Sequence, residues 1–152
     1  MDNQTQKQSV HKILAHSYAM HFGLFIFGVV LDVVFGLKVF TNSVLVSLGI
    51  ILLVFGSILI PWAQYTSHRL KKENITKETF CHGPYCYTRT PTNFGLLFVT
   101  LGFGLIINAF FVMVFSLVSF VFAKFVFLKK EEQLLVLKYG APYLEYKKSV
   151  HF

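Results

Sequence analysis

Charged residues are scarce in this chain: they make up 14% of its 152 residues, against about 25% in a typical soluble domain. The chain has a single tryptophan but eighteen phenylalanines, and 55% of its residues are hydrophobic. This composition argues against a compact water-soluble domain and favours a surface that faces lipid. No internal repeat and no Gly/Ser-rich linker divides the chain, so we expect one membrane domain over residues 1–152.

Cysteine is scarce as well, and the two cysteines, Cys81 and Cys86, lie in one short polar segment. A single pair does not make the disulfide framework of a small secreted protein, so we expect two free thiols. Together with His82 they fall short of the four ligands that a structural zinc site needs, and we expect no metal.

Apolar runs predict an all-α polytopic membrane protein, since a spanning helix needs roughly 20 apolar residues. The run from Phe94 to Leu128 would be about 52 Å long as one helix, well beyond the hydrocarbon core of about 30 Å. We therefore expect two helices with a tight turn near Asn108, which form a C-terminal helical hairpin. The prediction is about four transmembrane helices, at residues 22–40, 44–62, 94–107 and 109–128. Residues 1–16 form a polar N-terminal arm, and residues 63–93 and 129–152 form cytoplasmic segments.

Lysine and arginine are distributed unevenly about these predicted helices. With four spans, thirteen of the fourteen Lys and Arg residues lie on one side, and Lys38 alone lies on the other. Positive charge concentrates on the cytoplasmic side of membrane proteins, so both termini are predicted to be cytoplasmic. The thirteen are Lys7, Lys12, Arg69, Lys71, Lys72, Lys77, Arg89, Lys124, Lys129, Lys130, Lys138, Lys147 and Lys148. Because topology accounts for this charge, we expect contact with membrane lipids and no nucleic-acid partner.

Asp32 is the one acidic residue inside a predicted span. An intramembrane carboxylate is a functional candidate by default. The favoured interpretation is structural: Asp32 lies near the outer end of the first helix, where it is hydrated or bonded to a neighbour.

Two polar clusters flank the hydrophobic stretch that begins at Phe94: GPYCYTRTPTNFG at residues 83–95 and KKEEQ at residues 129–133. Each has a structural explanation alone, the first as a loop with a helix start at Pro91 and Thr90 as its N-cap, the second as snorkelling lysines before an acidic turn. A helical hairpin would bring both to one membrane surface. Arg89 and a helix N-terminus suit a carboxylate, while Glu131 or Glu132 suits an ammonium or ribose hydroxyls. These features together favour a nucleoside that carries an amino acid.

The first cluster resembles the G-x-Y-x-x-x-R-H-P-x-Y-x-G motif of the isoprenylcysteine carboxyl methyltransferases, of which phospholipid methyltransferases have related forms. The pair Glu131–Glu132, then Tyr139-Gly140 and then YLEYKK at residues 143–148, resembles the same family's C-terminal signature. The resemblance covers residues 77–152. It implies an integral-membrane methyltransferase that uses S-adenosyl-L-methionine and acts on a lipophilic small molecule or lipidated substrate.

The resemblance also implies roles for single residues. Arg89 and Glu131 are the expected catalytic residues, and residues 77–80 are expected to line the cofactor. The expected cofactor-binding residues are Tyr85, Thr90, Pro91, Thr92, Asn93, Glu131 and Glu132. Three positions depart from the family pattern: Thr90 stands for a histidine, Asn93 for a tyrosine and Phe127 for a substrate-binding arginine. The last change argues against a prenylcysteine carboxylate as the acceptor.

Other functions stay open at this point. The chain could be a non-catalytic four-helix membrane protein, either a scaffold or a decayed homologue, and a membrane reductase with a nicotinamide cofactor is a further class. The acceptor is open too: a carboxylate needs little acid–base chemistry, whereas an amine, thiol or phenol must lose a proton, for which His82 is the nearest candidate base. The sequence leaves the oligomeric state open.

Overall fold

A computed structural model describes residues 3–39, 43–68 and 76–150, which contain helices and turns and no β-strand. The long helices are α1 (Asn3–Phe35), α2 (Ser43–His68), α4 (Pro91–Ile107) and α5 (Phe110–Phe122). Short helical segments complete the chain: α3 (Lys77–Phe80), a 3₁₀ turn (Gly83–Cys86), a π turn (Ala123–Phe127), α6 (Leu128–Tyr139) and α7 (Ala141–Ser149). Residue 40 of the first predicted span and Arg69, Lys71 and Lys72 of the charge count lie outside the described residues.

Three stretches of helix are long and apolar enough to cross a membrane: Lys12–Phe35, Ser43–His68 and Phe110–Tyr139. The predicted class, a helical membrane protein, is confirmed at this level. Helix α4 is apolar but has 17 residues, which correspond to about 26 Å of helix. Large apolar side chains on α1 and α2 stay exposed in the isolated chain, among them Val33 and Ile51, as is expected of helices that face lipid.

The helices pack as a row. Helix α1 packs on α5, α5 on α4, and α4 on α2, so the α4–α5 hairpin occupies the middle of the row. The seam between α2 and α4 depends on glycines: a Cβ at Gly49 would meet the Gly102 carbonyl oxygen at 2.8 Å, and one at Gly56 would meet the Gly95 carbonyl oxygen at 2.7 Å. The two glycines of each helix lie seven residues apart, so both contacts fall on one face. Small residues of this kind let membrane helices approach closely.

The predicted turn near Asn108 is confirmed. Asn108 ends α4 in the left-handed conformation with φ 55°, and the Ala109 N–H donates to the Gly104 carbonyl at 2.8 Å. The Asn108 side-chain oxygen also accepts the backbone N–H of Val39 at 3.1 Å, which ties the turn to the segment after α1. This turn reverses the chain, so the starts of α4 and of α6 come to the same end of the row.

Asp32 is bonded to a neighbour, as the favoured interpretation predicted. Its two carboxylate oxygens accept the backbone N–H groups of Phe111 at 3.0 Å and Val112 at 2.9 Å. These N–H groups belong to the first turn of α5, which has no intrahelical acceptors for them. Asp32 therefore acts as an N-cap supplied from another helix, and its negative charge lies at the positive end of the α5 dipole.

The long helices differ from the predicted boundaries. Helix α1 ends at Phe35 rather than at 40, α2 continues past 62 to His68, and α4 begins at Pro91 rather than at 94. Helix α1 begins at Asn3, so residues 3–16, predicted as a polar arm, are helical. The last predicted span, 109–128, continues without interruption through the π turn and α6 to Tyr139. The KKEEQ cluster at residues 129–133 thus lies on the side of a helix rather than after its end, which fixes the directions of Glu131 and Glu132.

Candidate functional site

Glu132 is the centre of a charged network at the end of the row where α4 and α6 begin. Its carboxylate forms an ion pair with Arg89, from the loop before α4, and with Lys147 of α7, whose Nζ lies 2.6 Å from Oε2. The side chain of Glu132 is only 8% exposed, so two cations compensate the cost of removing its charge from water. The network joins α6 and α7 to the residues that precede α4.

The charged network borders an open groove of about 490 Å³. Its lining residues are Lys129, Glu132, Gln133, Val136, Leu137 and Lys147. The groove therefore combines the Glu132–Lys147 pair with the apolar side chains of α6.

Glu131 belongs to a second group of side chains, which we name the tyrosine–glutamate cluster: Tyr18, Ser67, Tyr85, Thr92 and Glu131. The hydroxyls of Tyr18 and Tyr85 both hydrogen-bond to the Thr92 side chain, and Tyr85 also hydrogen-bonds to Ser67. Glu131 lies close enough to both tyrosines for its charge to act on them. Each of the five residues belongs to a different element: α1, α2, the 3₁₀ turn, α4 and α6. The cluster therefore forms only when the chain folds.

Burial raises the pKa of the Tyr85 hydroxyl above its ordinary value of 10.0, the hydrogen bond with Ser67 opposes this rise, and the negative charge of Glu131 adds to it. Tyr85 is thus a neutral hydroxyl at physiological pH. A neutral phenol can donate one hydrogen bond and accept others, which suits it to line a polar binding site.

The segment that carries Tyr85 is fixed at several points. The Tyr146 hydroxyl donates to the Tyr85 carbonyl at 2.7 Å. Gly83, with φ 55°, lies against Trp62 and Thr66 of α2, where a Cβ would meet the Thr66 hydroxyl at 2.8 Å. Next to it, Phe80 packs against the rings of Tyr139, Tyr143 and Tyr146, which forms a small aromatic core beneath α7.

A disulfide joins Cys81 and Cys86, so the prediction of two free thiols is wrong. The cysteines are five residues apart and their Cα atoms are 4.4 Å apart, because the chain turns between α3 and the 3₁₀ turn. Counting cysteines could not find this bond, since it depends on the local turn at Gly83. The disulfide closes the short loop that presents Tyr85.

The first turn of α4 holds four of the predicted cofactor-binding residues: Thr90, Pro91, Thr92 and Asn93. Thr90 occupies the N-cap position, as predicted, although its side chain makes no capping hydrogen bond. The Thr90 carbonyl accepts the Asn93 N–H at 3.1 Å, and the Thr88 hydroxyl accepts the Thr90 N–H at 3.3 Å. Pro91 is fully buried at the first helical position. The dipole of this 17-residue helix gives the turn a positive potential.

The structure thus separates the two predicted glutamates. Glu132 holds Arg89, whereas the charge of Glu131 acts on Tyr18 and Tyr85. Arg89 and Glu131, the two predicted catalytic residues, belong to neighbouring groups rather than to one ion pair. His82, the base suggested by sequence, is exposed to solvent.

Sequence reasoning missed Tyr18, Ser67 and Lys147 as members of the site. Lys147 lies in the YLEYKK segment on which the family resemblance depends, so the sequence did point to this residue. Tyr18 falls between the predicted arm at residues 1–16 and the predicted span at 22–40. Its neighbours Ser17 and His21 are polar residues at helical spacing where an apolar run begins, and this pattern was the signal for a polar helix face.

The arrangement has the groups needed to bind a zwitterion. A carboxylate at Glu131 suits an ammonium, and the positive first turn of α4 beside it suits a carboxylate. Comparison of the chain with protein-family models, with curated proteins and with solved structures finds no match. The family resemblance of residues 77–152 therefore depends on the motif residues alone.

Proposed function

We propose that the protein is an integral-membrane methyltransferase that uses S-adenosyl-L-methionine and acts on a lipophilic acceptor. The observation that carries the proposal is the tyrosine–glutamate cluster. It places Glu131, the tyrosine of the motif (Tyr85) and the first turn of α4 (Thr92) next to one another. These are the three parts that the sequence motif assigns to one cofactor.

The ligand's groups can be matched to residues one at a time. We assign the ammonium of the methionine part to Glu131 and its carboxylate to the first turn of α4, residues 90–93. Tyr18 and Tyr85 offer neutral hydroxyls for the remaining polar atoms. Glu132 is already bonded to Arg89 and Lys147, so we assign it the role of holding Arg89 and the loop before α4 in place.

Methyl transfer needs orientation more than acid or base groups. The reaction is an in-line displacement in which the acceptor attacks the sulfonium methyl carbon, so holding the two reactants within contact distance supplies a large part of the rate. In this proposal Glu131 fixes the cofactor, and Arg89 contributes positive potential near the site. Phe127, in the π turn, stands where the family has a substrate-binding arginine, and we expect weak or no activity on a farnesylcysteine analogue.

The proposed topology has four spans, with α4 as a short span between α2 and α5. Both termini then lie in the cytoplasm with the site, where a soluble cofactor can reach it, while the acceptor enters from lipid. Labelling of single cysteines at positions 3 and 149, in a background without Cys81 and Cys86, tests this. Reaction of both positions from the cytoplasmic side is expected, and labelling from opposite sides would rule out the four-span arrangement.

Titration calorimetry with S-adenosylhomocysteine tests the function directly. We expect binding by the purified full-length protein in lipid nanodiscs, and weaker binding by Glu131→Gln. Glu145→Gln, which changes an exposed carboxylate on α7, is the matched control and should bind like the wild type. No binding at millimolar ligand would contradict the proposal.

The non-catalytic alternative has one observation in its favour. The contacts of Glu132 with Arg89 and Lys147 join three segments of the chain, as a purely structural staple would. Under that alternative, Glu131→Gln and the wild type would behave alike in the calorimetric experiment, because neither would bind the ligand.

A further inference from the structure

His21 of α1 is a buried histidine that the proposed cofactor site does not use. Its residue is 4% exposed, and Ser17, one turn earlier, is 2% exposed. Within the described residues, neither His21 Nε2 nor the Ser17 hydroxyl has a hydrogen-bond partner. A buried polar group that makes no hydrogen bond destabilises the folded protein by about 1–3 kcal/mol. Two such groups on one helix face indicate that this face binds something polar.

The position of His21 along the row follows from the contacts on either side of it. Nearer the start of α1, Tyr18 lies beside Thr92 and Glu131. Further along α1, Gly28 packs directly on the backbone of Val112 in α5. His21 lies between these two points of contact. It is three residues from Tyr18, about 4.5 Å along the helix axis towards Gly28.

The helix opposite this stretch of α1 contains the π turn, Ala123–Phe127. Helix α1 contacts both the π turn and α6, and the π turn lies between Val112 and Glu131 in the chain. Such turns inside α-helices interrupt the regular hydrogen-bond pattern and occur frequently at functional sites. Helix α1, which carries His21 one turn after Tyr18, therefore packs against a local irregularity of the backbone.

The ring of His21 stands beside the backbone of Ser17, four residues earlier. Two exposed histidines show what this spacing favours: in His16 and His68, Nδ1 lies 2.8 and 2.9 Å from the carbonyl oxygen four residues earlier. The same approach by His21 would place a proton on Nδ1 and leave the lone pair of Nε2 available. In that tautomer Nε2 is the nitrogen that can accept a proton.

From these observations we propose that Ser17 and His21 bind the polar head of the methyl acceptor, and that His21 Nε2 removes the proton from its nucleophile. This inference rests on the proposed methyltransferase function and names the acceptor class: a lipophilic amine, thiol or phenol rather than a carboxylate. The nucleophilic atom forms a bond to the methyl carbon while the carbon–sulfur bond breaks and sulfur keeps the electron pair. His21 takes the proton that the acceptor loses, and the methylated acceptor and S-adenosylhomocysteine are the products.

The experiment uses the full-length protein in nanodiscs with S-adenosylmethionine labelled at the methyl group and a total lipid extract. His21→Gln should lower the rate of label transfer by roughly a hundredfold or more, the usual share of general-base catalysis. S-adenosylhomocysteine should bind this variant within about twofold of the wild type, because Glu131 and α4 are unchanged. His16→Gln is the matched control, because His16 is an exposed histidine on the same helix, and its rate should match the wild type.

The chemistry of the product gives a second readout that needs no variant. Mild alkali releases labelled methanol from a methyl ester but leaves N-, S- and O-aryl-methyl groups intact. We expect a label that resists alkali. An alkali-labile label, or His21→Gln transferring label at the wild-type rate, would overturn the inference while leaving the methyltransferase proposal standing.

A different result would show that the proposed function itself is wrong. If the wild type binds no S-adenosylhomocysteine, the methyltransferase proposal fails and this inference fails with it. If His21→Gln does not fold, Ser17→Ala tests the other residue of the pair: a raised KM for the lipid acceptor with cofactor affinity unchanged supports the inference, and an unchanged KM overturns it.

Discussion

The two ends of the helical row differ in what their carboxylates contact. At one end, which we call the Asp32 end, both oxygens of Asp32 accept backbone N–H groups of α5, and Asn108 accepts the N–H of Val39. These contacts are between side chain and backbone, so they fix helices to one another. Each oxygen of Asp32 is thus engaged by the fold itself.

At the other end, which we call the Glu131 end, the polar groups are more numerous and less completely paired. Glu131 lies near the neutral hydroxyls of Tyr18 and Tyr85 and makes no ion pair in the described residues. On α1, the Ser17 hydroxyl and His21 Nε2 lack partners among the described residues. The comparison shows how two carboxylates of one chain can differ: one that accepts backbone N–H groups holds helices together, whereas one beside unpaired polar groups is available to a ligand.

The largest expected effect is on stability, at the Asp32 end. Asp32→Ala removes both acceptors and leaves the N–H groups of Phe111 and Val112 in apolar surroundings. Each unsatisfied buried donor costs about 1–3 kcal/mol, so we expect a loss of roughly 2–5 kcal/mol in the free energy of unfolding. Denaturant unfolding in detergent micelles measures it.

Asp32→Asn sharpens this prediction. One amide oxygen can still accept one N–H, so the loss should be about half that of Asp32→Ala. Glu145→Ala, at an exposed position on α7, is the control and should change stability little. If Asp32→Ala weakened cofactor binding without changing stability, Asp32 would belong with the functional residues and the contrast between the two ends would be wrong.

The next effect is on binding, at the Glu131 end. Glu131→Gln removes the charge that would hold an ammonium, and a hydrogen bond to a charged group is worth about 1.5–3 kcal/mol. We expect the Kd for S-adenosylhomocysteine to rise by roughly 10- to 150-fold, by calorimetry. The free energy of unfolding should stay nearly constant, because Glu131 makes no ion pair in the described structure.

Glu132→Gln is the informative companion, because the two glutamates are neighbours on one helix. It should lower stability more than Glu131→Gln does, since Arg89 and Lys147 lose their shared partner. A Glu132→Gln variant that keeps its stability but loses binding would mean that the roles of the two glutamates are reversed.

Much of the fold was predictable because the thickness of a bilayer fixes the length of a spanning helix. A run of 35 residues cannot be one span, and Asn108 is the polar residue at its middle, so the turn followed from length. Asp32 could be interpreted as structural, but its partners could not be named, because they lie 79 and 80 residues away in α5. Contacts of this kind depend on the order of helices in the row, which hydrophobicity does not encode.

The site was predictable in part for a different reason. Tyr85, Arg89 and the two glutamates lie in motifs, so sequence alone found them. It did not separate Glu131 from Glu132, since which neighbour faces which group depends on α6 continuing as a regular helix after the π turn. Tyr18 and His21 were missed because a hydrophobicity window treats them as the edge of an apolar run.

A smaller effect is expected from the disulfide that closes the Tyr85 loop. Cys81→Ser together with Cys86→Ser frees a loop of about six residues, and the chain-entropy relation gives a loss of about 2 kcal/mol. Since Gly83 in this loop lies against Trp62, the single tryptophan, the loosened loop should also change the fluorescence of Trp62. Glu131 is untouched, so cofactor affinity should fall less than in Glu131→Gln. Unchanged fluorescence would mean that contacts of Gly83 and Tyr146, rather than the disulfide, hold the loop.

The smallest effect is a pH dependence confined to the Glu131 end. Burial raises the pKa of the Tyr143 and Tyr146 hydroxyls well above their ordinary value of 10.0. The second cause is the negative charge of Glu132 for Tyr143, and for Tyr146 it is the charge that Tyr85 carries once it has ionised. The folded state therefore keeps these protons at a pH where the unfolded state has released them. Their contribution to stability is fully present below pH 10 and is lost as pH rises from there towards the folded-state pKa. In denaturant titrations, each tyrosine should steepen the alkaline fall of the unfolding free energy by up to about 1.4 kcal/mol per pH unit.

Tyr143→Phe and Tyr146→Phe isolate the contribution of each tyrosine, because all the other titratable groups are common to the proteins compared. Each variant should show a shallower alkaline fall than the wild type. Tyr146→Phe should in addition lose about 1 kcal/mol at neutral pH, since its hydroxyl donates to the Tyr85 carbonyl. Tyr65→Phe, at an exposed position on α2, is the control and should keep the wild-type slope. Equal slopes in all four proteins would show that Tyr143 and Tyr146 ionise as freely in the fold as in the unfolded chain, and the aromatic core beneath α7 would then not be the rigid support that holds Tyr85 at the Glu131 end.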